Sequence, residues 1–319
     1  MIETRDLRKT YRSRAGGSDG TVEAVRGIDL VVKSGEIYGL LGPNGAGKTT
    51  TMRMLATLVP PTSGEAEVAG VDLLAQPREV RRRIGYVAQG GSTDREMTAR
   101  RELYQQGRFH GLSRMRARAR ADETIAALRL TDLADRPAKT YSGGQARRLD
   151  IAIGLVHTPP LLFLDEPTTG LDPQSRAYLW DEVRALRDAG TTIFLTTHYL
   201  DEADALCDRV AIVDHGQVVA EGSPELLKRE IAGESIVIGT GAPMGVRDAL
   251  AALTGLRDLT VGETEVRAYL DDAASALPTA LRLLDAAGQD VTTASVSRPS
   301  LDDVFMSKTG RSLREVVAA

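Results

Sequence analysis

Residues 42–50 read Gly-Pro-Asn-Gly-Ala-Gly-Lys-Thr-Thr, a set of types suited to holding a polyphosphate. Gly42, Gly45 and Gly47 let the backbone fold around an anion in conformations that a side chain would block, with Pro43, Asn44 and Ala46 completing the turn. The apolar run Ile37–Leu41 precedes the turn, and Met52, Leu55 and Leu58 follow it at helical spacing. That places the loop between a strand and a helix, where its N–H groups converge on phosphate oxygens. Lys48 is the informative residue. A lysine in the first turn opposes the helix dipole by about 0.3 kcal/mol or more, which makes sense if it bonds the outer phosphate oxygens. Thr49, followed by Thr50, offers a hydroxyl to Mg²⁺. The pattern in this context implies a nucleoside triphosphate.

Other positions gain meaning from that loop. The run Leu161–Leu164 ends in Asp165-Glu166-Pro167. Four apolar residues bounded by prolines read as a buried parallel strand, and ligands bind at the carboxyl ends of such strands. One carboxylate can reach a phosphate-bound Mg²⁺ and the other can polarise a water. A further strand, Thr191–Thr197, ends in His198, which reads as a cap, a packed side chain or a phosphate contact. Gln89 follows the short strand Ile84–Val87. Tyr11 stands alone among charges, either as an edge-strand aromatic or as a face on which an adenine ring stacks. Ser142-Gly143-Gly144-Gln145 has the form of a capping box. Two glycines in a first helical turn destabilise it by roughly 1 kcal/mol each, so close approach of a group to this backbone is expected, making the helix start a second anion site.

The elements that position these residues must come from 319 residues, enough for one large domain and a smaller one, or two of similar size. Hydrophobic residues make up 42% and charged residues 26%, a globular chain with a soluble surface. No run approaches the ~20 apolar residues of a membrane span; Ile151–Leu164 is broken by His157 and Pro159-Pro160. The first residues carry charges and no apolar core, so no signal peptide is expected. Cys207 is the single cysteine, which excludes an intramolecular disulfide or a cysteine metal cluster and fits a reducing cytoplasm. A net charge of −4 argues against a dedicated nucleic-acid surface.

Along the chain, strand-like residues 1–33 are interrupted by a glycine- and serine-rich stretch, residues 12–20, expected to be a mobile hairpin loop. Strands are expected at Glu67–Val71 and Ile84–Val87. Residues 95–137 switch to helix formers and contain the one dense basic run, Arg114–Arg120, a solvated face or a contact for headgroups or nucleic acid. Residues 208–222 read as a hairpin. Beyond residue 228 the order β-α-β-β-α-β is that of a ferredoxin-like unit, closed by a helix capped by Ser300.

Tyr11, GPNGAGKT (42–49), Gln89, SGGQ (142–145), LLFLDEP (161–167), Leu171-Asp172 and His198 together resemble the nucleotide-binding subunit of ABC transporters over roughly residues 1–226. The segments KTYSGGQARRLDIA, LLFLDEPTTGLDP, TTHYLDEAD and SLDDVFMSKTG are similar to the daunorubicin/doxorubicin-resistance ATPase group of bacterial exporters. The resemblance implies an α/β fold. Its ATP-binding domain (1–228) has a mixed-sheet core, an antiparallel β subdomain and a helical subdomain at about 92–157, and an α+β ferredoxin-like accessory domain follows (229–319). It also implies roles. Tyr11 stacks adenine; Lys48 and the loop amides hold the β- and γ-phosphates of ATP; Thr49 and Gln89 ligate Mg²⁺ with Asp165 behind them. Glu166 polarises the attacking water and His198 bonds the γ-phosphate. Ser142 and Gly144, with Gly143 and Gln145 in the same turn, complete the site of a second copy, and Asp172 crosses that interface. Tyr141 stands where leucine is commoner, and Gly170-Leu171-Asp172 replaces Ala-Leu-Asp; neither removes a catalytic group.

The expected partners are a second copy arranged head to tail and two integral membrane permease subunits, docked through the helical insertion near Gln89–Arg108. The chain is then peripheral on the cytoplasmic face of the membrane, exporting a drug, lipid or polyketide-type compound and binding no nucleic acid. The alternative is an ABC ATPase of DNA repair or translation. Repair enzymes carry a coiled coil too long for residues 41–142, and translation factors usually carry two cassettes. A catalytically silent binding protein is disfavoured by intact Lys48, Asp165, Glu166 and His198.

Overall fold

The computed structural model describes residues 1–13, 20–230, 234–297, 299–311 and 313. Most of the expected hairpin loop, residues 14–19, lies outside them. Strands β1 (Ile2–Ser13) and β2 (Gly20–Val32) pair antiparallel. β3 (Ile37–Leu41) leads through the glycine-rich turn into α1 (Lys48–Leu55). The expected strand Glu67–Val71 is two strands, β4 (Ser63–Val68) and β5 (Val71–Asp72). Ala69 and Gly70 both take positive φ between them and reverse the chain. α2 (Pro77–Arg83) and β6 (Ile84–Val87) follow, then the helices α3 (Ala99–Phe109), α4 (Arg114–Ala127) and α5 (Gly143–Leu155). The chain continues through β7 (Leu161–Asp165), α6 (Pro173–Asp188), β8 (Thr192–Thr197), α7 (Leu200–Leu206), β9 (Arg209–Asp214) and β10 (Gln217–Gly222).

Two sheets organise this part. One is antiparallel, in the order β2-β1-β4-β5; the other has six strands in the order β10-β9-β3-β8-β7-β6. The second is parallel except for β10 against β9. Its central strands are apolar without alternation because both faces are covered: every residue of β3, β7 and β8 is buried. Ile2, Leu7, Ile28 and Leu30 from the antiparallel sheet share a core with Tyr38, Leu40, Met52, Phe163 and Phe194. Each such side chain contributes about 1.5–3 kcal/mol on burial. Phe163 and Phe194 meet edge to face at 5.5 Å. The ladder sets Leu41 beside Thr197 and Asp165 beside Thr196, so the carboxyl ends of β3, β7 and β8 lie together.

The basic run on α4 is not one face. Arg114, Arg116 and Arg118 are exposed. Arg120 turns inward, donating to Val156 O at 3.2 Å and Leu155 O at 3.4 Å, carbonyls at the end of α5.

The chain divides into compact units at Ser223, five residues before the expected boundary, because a helix not foreseen from the sequence, α8 (Pro224–Glu230), belongs to the second unit. There it packs against α11 (Leu301–Thr309). This unit contains β11 (Glu234–Gly239), α9 (Pro243–Leu250), β12 (Leu256–Val261), β13 (Glu265–Leu270), α10 (Ala273–Ala286) and β14 (Thr293–Ser297). Its sheet runs β12-β13-β11-β14, antiparallel throughout, the ferredoxin-like arrangement. Ile236, Ile238 and Val266 pack with Val246, Leu250, Ala280 and Leu284 of the two helices. Ser300 caps α11 reciprocally with Asp303, as its position predicts.

His110, which ends α3, stacks on His157 with ring centres 3.7 Å apart. His157 Nε2 lies 3.0 Å from Ile84 O, while its buried Nδ1 has no hydrogen-bond partner among the described residues. Burial, with the charge of His110, pulls the His157 imidazole down to about 4 from an ordinary 6.5. The folded state therefore binds fewer protons than the unfolded state between those values, and stability is lost as pH falls through them. The melting temperature of wild-type protein should fall more steeply between about pH 6.5 and pH 4 than that of His157→Phe; parallel profiles would clear His157 of the effect.

Candidate active site

The phosphate loop is pressed from behind. A Cβ on Gly42 would stand 2.2 Å from Val213 O, and one on Gly47, where φ is 102°, would stand 2.4 Å from Ala24 O. β9 and β2 thus shape the turn, leaving Asn44 and Gly45 exposed at its crown while Pro43 and Ala46 are buried. Lys48 is 4% exposed and donates from Nζ to Gly42 O at 2.8 Å and Pro43 O at 3.0 Å. Burial lowers its pKa, opposed by the negative charges of Glu166 and Asp165. Thr50 sits in the same first turn, half-buried.

At the end of β7, Asp165 Oδ1 accepts from Thr49 Oγ1 at 3.0 Å and Thr196 Oγ1 at 2.7 Å. Among the described residues its buried Oδ2 has no hydrogen-bond partner. Glu166, 7% exposed, takes a φ of 44°, a conformation costing a non-glycine residue about 1–3 kcal/mol. Its N–H is held by Thr196 O and Oγ1, each at 3.1 Å. Its Oε2 accepts from Gln89 Nε2 at 2.9 Å and Thr169 Oγ1 at 3.1 Å, and His198 Nδ1 lies 3.1 Å away. Lys48 Nζ is 3.8 Å from Oε1. Burial works to raise the Glu166 pKa. The contact with His198, the charges of His198 and Lys48, and the Thr169 hydroxyl outweigh it and hold the carboxyl below its ordinary value. The carboxylate is ionised and fixed, as a base must be.

The parallel sheet thus brings together Lys48, Thr49, Gln89, Asp165, Glu166 and His198. Gln89 spends its amide nitrogen on Glu166, and among the described residues no hydrogen bond joins it to Thr49 or Asp165. Other expected residues stand apart. Ser142 and Gly143 are exposed at the start of α5, where Ser142 and Gln145 close a reciprocal capping box. Gly144 lies beside Ser175: a Cβ there would be 3.1 Å from its Oγ. Among the described residues no hydrogen bond or ion pair joins residues 142–145 to the phosphate loop. Asp172 caps α6, accepting from Ser175 N at 2.9 Å and Ser175 Oγ at 2.6 Å, bonds that lower its pKa. Tyr11, 40% exposed, has Lys9 Nζ 5.1 Å from its ring centre. It pairs with Val22, two residues along β2 from the Ala24 carbonyl behind Gly47, or about 7 Å by strand rise.

Thr196 and Thr169 were not singled out by sequence reasoning. The signal for Thr196 is the pair of threonines closing β8 after the apolar Ile193–Leu195; Thr169 follows Glu166 by one tight turn, through Thr169 N to Glu166 O at 3.3 Å. Neither signal is specific until the strand order is known.

Gly47→Ala should lower the melting temperature and abolish binding of a fluorescent ATP analogue, because φ and the Ala24 carbonyl both exclude a methyl group. Gly45→Ala, with open space at its Cβ, should retain more of both. Equal binding by wild type and Gly47→Ala would refute this reading of the loop.

Residues 25–169 match the ABC transporter family, and residues 222–309 match the C-terminal domain of DrrA1-3-like ATP-binding proteins. The daunorubicin/doxorubicin resistance ATP-binding protein DrrA of Streptomyces peucetius is 47% identical over 313 residues, covering 97% of this chain and 92% of its own. The linearmycin resistance ATP-binding protein LnrL of Bacillus subtilis is 35% identical over 319 residues, covering 99% and 100%. Among solved structures, a dimeric post-hydrolysis state of the ATP-binding cassette MJ0796, bound to ADP and Pi, superposes with a TM-score of 0.63 at 26% identity. That match covers 70% of this chain and 98% of the other. Identity that runs through both units, with the site intact, leads to one assignment: the chain belongs to the ATP-binding proteins of ABC transporters, in the daunorubicin/doxorubicin-resistance group, and it is an ATPase.

Proposed function

We propose that this chain powers a bacterial exporter of a hydrophobic or amphipathic compound, an antibiotic, drug, lipid or polyketide-type product. Two copies close head to tail on ATP and drive a separate membrane permease of two subunits from the cytoplasmic face of the membrane. Support comes from relatives named for resistance to daunorubicin and linearmycin. Among the described residues no helix is long and apolar enough to cross a membrane, which accords with a cargo path in a separate permease.

The observation that carries the reading is a division of the site. Lys48, Gln89 and His198 surround an ionised Glu166, while the helix start at Ser142 is exposed and, among the described residues, makes no hydrogen bond or ion pair to residues 42–50. A second copy supplies what each lacks. Lys48 and the N–H groups of residues 42–49 hold the β- and γ-phosphates, and Tyr11 stacks on adenine. Glu166 accepts a proton from the attacking water, and His198 bonds the γ-phosphate. Ser142, Gly143, Gly144 and Gln145 close the partner's site, with Asp172 at the interface. Thr49, Asp165 and the amide oxygen of Gln89 form a hard oxygen set suited to Mg²⁺, and the unpartnered buried Oδ2 of Asp165 fits that use. When bound, the ion would neutralise charge on the phosphate oxygens.

Glu166→Gln should bind ATP with near wild-type affinity, lose ~10²-fold or more in turnover, and elute as a dimer in ATP. Hydrolysis near the parent rate would remove Glu166 from its role. In fractionated cells the protein should pellet with membranes only when the permease is co-expressed. Equal recovery without it would favour direct lipid binding through Arg114, Arg116 and Arg118.

A further inference from the structure

Arg147 lies in the second turn of α5, just past the exposed Ser142–Gln145 start, and is 7% exposed. Its guanidinium donates to three backbone carbonyls: Nε to Pro167 O at 2.8 Å, Nη1 to Ala88 O at 2.7 Å and Nη2 to Asp165 O at 3.0 Å. These are the residue before Gln89, the first carboxylate of the pair, and the residue after Glu166. One turn further, Asp150 Oδ1 accepts from Ser92 N at 2.8 Å, Thr93 N at 3.1 Å and Thr93 Oγ1 at 2.7 Å. Between these anchors a Cβ on Gly91 would stand 2.7 Å from Asp150 Oδ2, so the loop lies flat against the helix. Asp150 Oδ2 is itself 3.9 Å from Arg147 Nη1. Gln89, which bonds Glu166, is therefore gripped on both sides by two charged side chains of one helix.

Burying an arginine is costly unless its donors are met. Here three carbonyls from two separate segments, residue 88 and residues 165–167, meet them, in the planar fork geometry that lysine lacks.

We propose that Arg147 and Asp150 clamp the Gln89 loop to α5, so that docking of the Ser142 helix start on the partner's nucleotide sets the position of Gln89 against Glu166 in its own site. The inference rests on the head-to-tail ATP dimer proposed above. Arg147 touches no reacting atom and is a positioning residue. Through it each chain links the two sites it serves, one with its helix start and one with its carboxylate.

The test is a double-mutant cycle on steady-state ATP hydrolysis by the full chain, with Arg147→Met, Gln89→Ala and the double variant. Arg147→Met should lower kcat roughly tenfold with the KM for ATP little changed, and Arg147→Lys should recover part of the loss. In the Gln89→Ala background Arg147→Met should add less than about twofold, because both act through one contact. Thr93→Val, which loosens the Asp150 anchor without stranding a charge, should follow the same pattern at roughly two- to threefold and serves if Arg147→Met does not fold. Losses that multiply, or an unchanged kcat, overturn the clamp. ATP-dependent dimerisation of Glu166→Gln separates the two readings. If that dimer forms and the losses multiply, the clamp alone fails; if no dimer forms, the proposed function fails and the clamp with it.

Discussion

A buried carboxylate stays charged only where its surroundings replace water, and Glu166 is the group on which the rest of this site depends. Desolvation works toward the neutral form; His198, Lys48 and Thr169 reverse that sign, and Gln89 bonds the same carboxylate. Each comes from a different part of the chain: the end of β8, the loop after β6, the turn after β7 and the start of α1. No local segment can assemble such a set. The parallel sheet does so because its central strands end side by side, in register. The φ of 44° at Glu166 is local strain held in place by the Thr196 contacts to its N–H.

The same packing explains the glycines. Gly42 and Gly47 face the carbonyls of Val213 and Ala24, so backbone rather than ligand sets their identity. Glycine at 45, open on all sides at its Cβ, answers to φ alone. A loop rich in glycine is therefore a composite: two positions belong to the fold and one to the turn.

The helix that begins at Ser142 has two ends of interest. Its start is exposed and capped by its own Gln145, which satisfies the backbone and keeps the turn rigid. Its second turn reaches inward through Arg147 and Asp150 to the segments flanking Gln89 and Glu166. Exposure at one point and burial of charge a turn later is an arrangement suited to carrying motion from a surface to a buried group. Arg120 of α4 donates to the last carbonyls of the helix and so ties its far end to α4.

The sequence by itself was enough for the phosphate loop, the carboxylate pair, the strands around them and the β-α-β-β-α-β order of the second unit, because these rest on local rules: hydrophobic period, glycine placement and caps. Ser300 and the Ser142 box could be read for the same reason. Beyond reach were Thr196, Thr169 and Arg147, whose partners are distant in the chain or ambiguous without the strand order. The helix α8 went unseen because seven residues beginning with a proline carry too short a period to stand out. The basic run 114–120 was legible as charge but not as geometry, since only packing against the end of α5 separates Arg120 from its neighbours. What tertiary structure alone decided is which way the polar groups with distant partners turn: Gln89 toward Glu166, Thr196 toward Asp165 and Arg147 onto Ala88. Those choices follow from distances between segments that no spacing along the chain encodes.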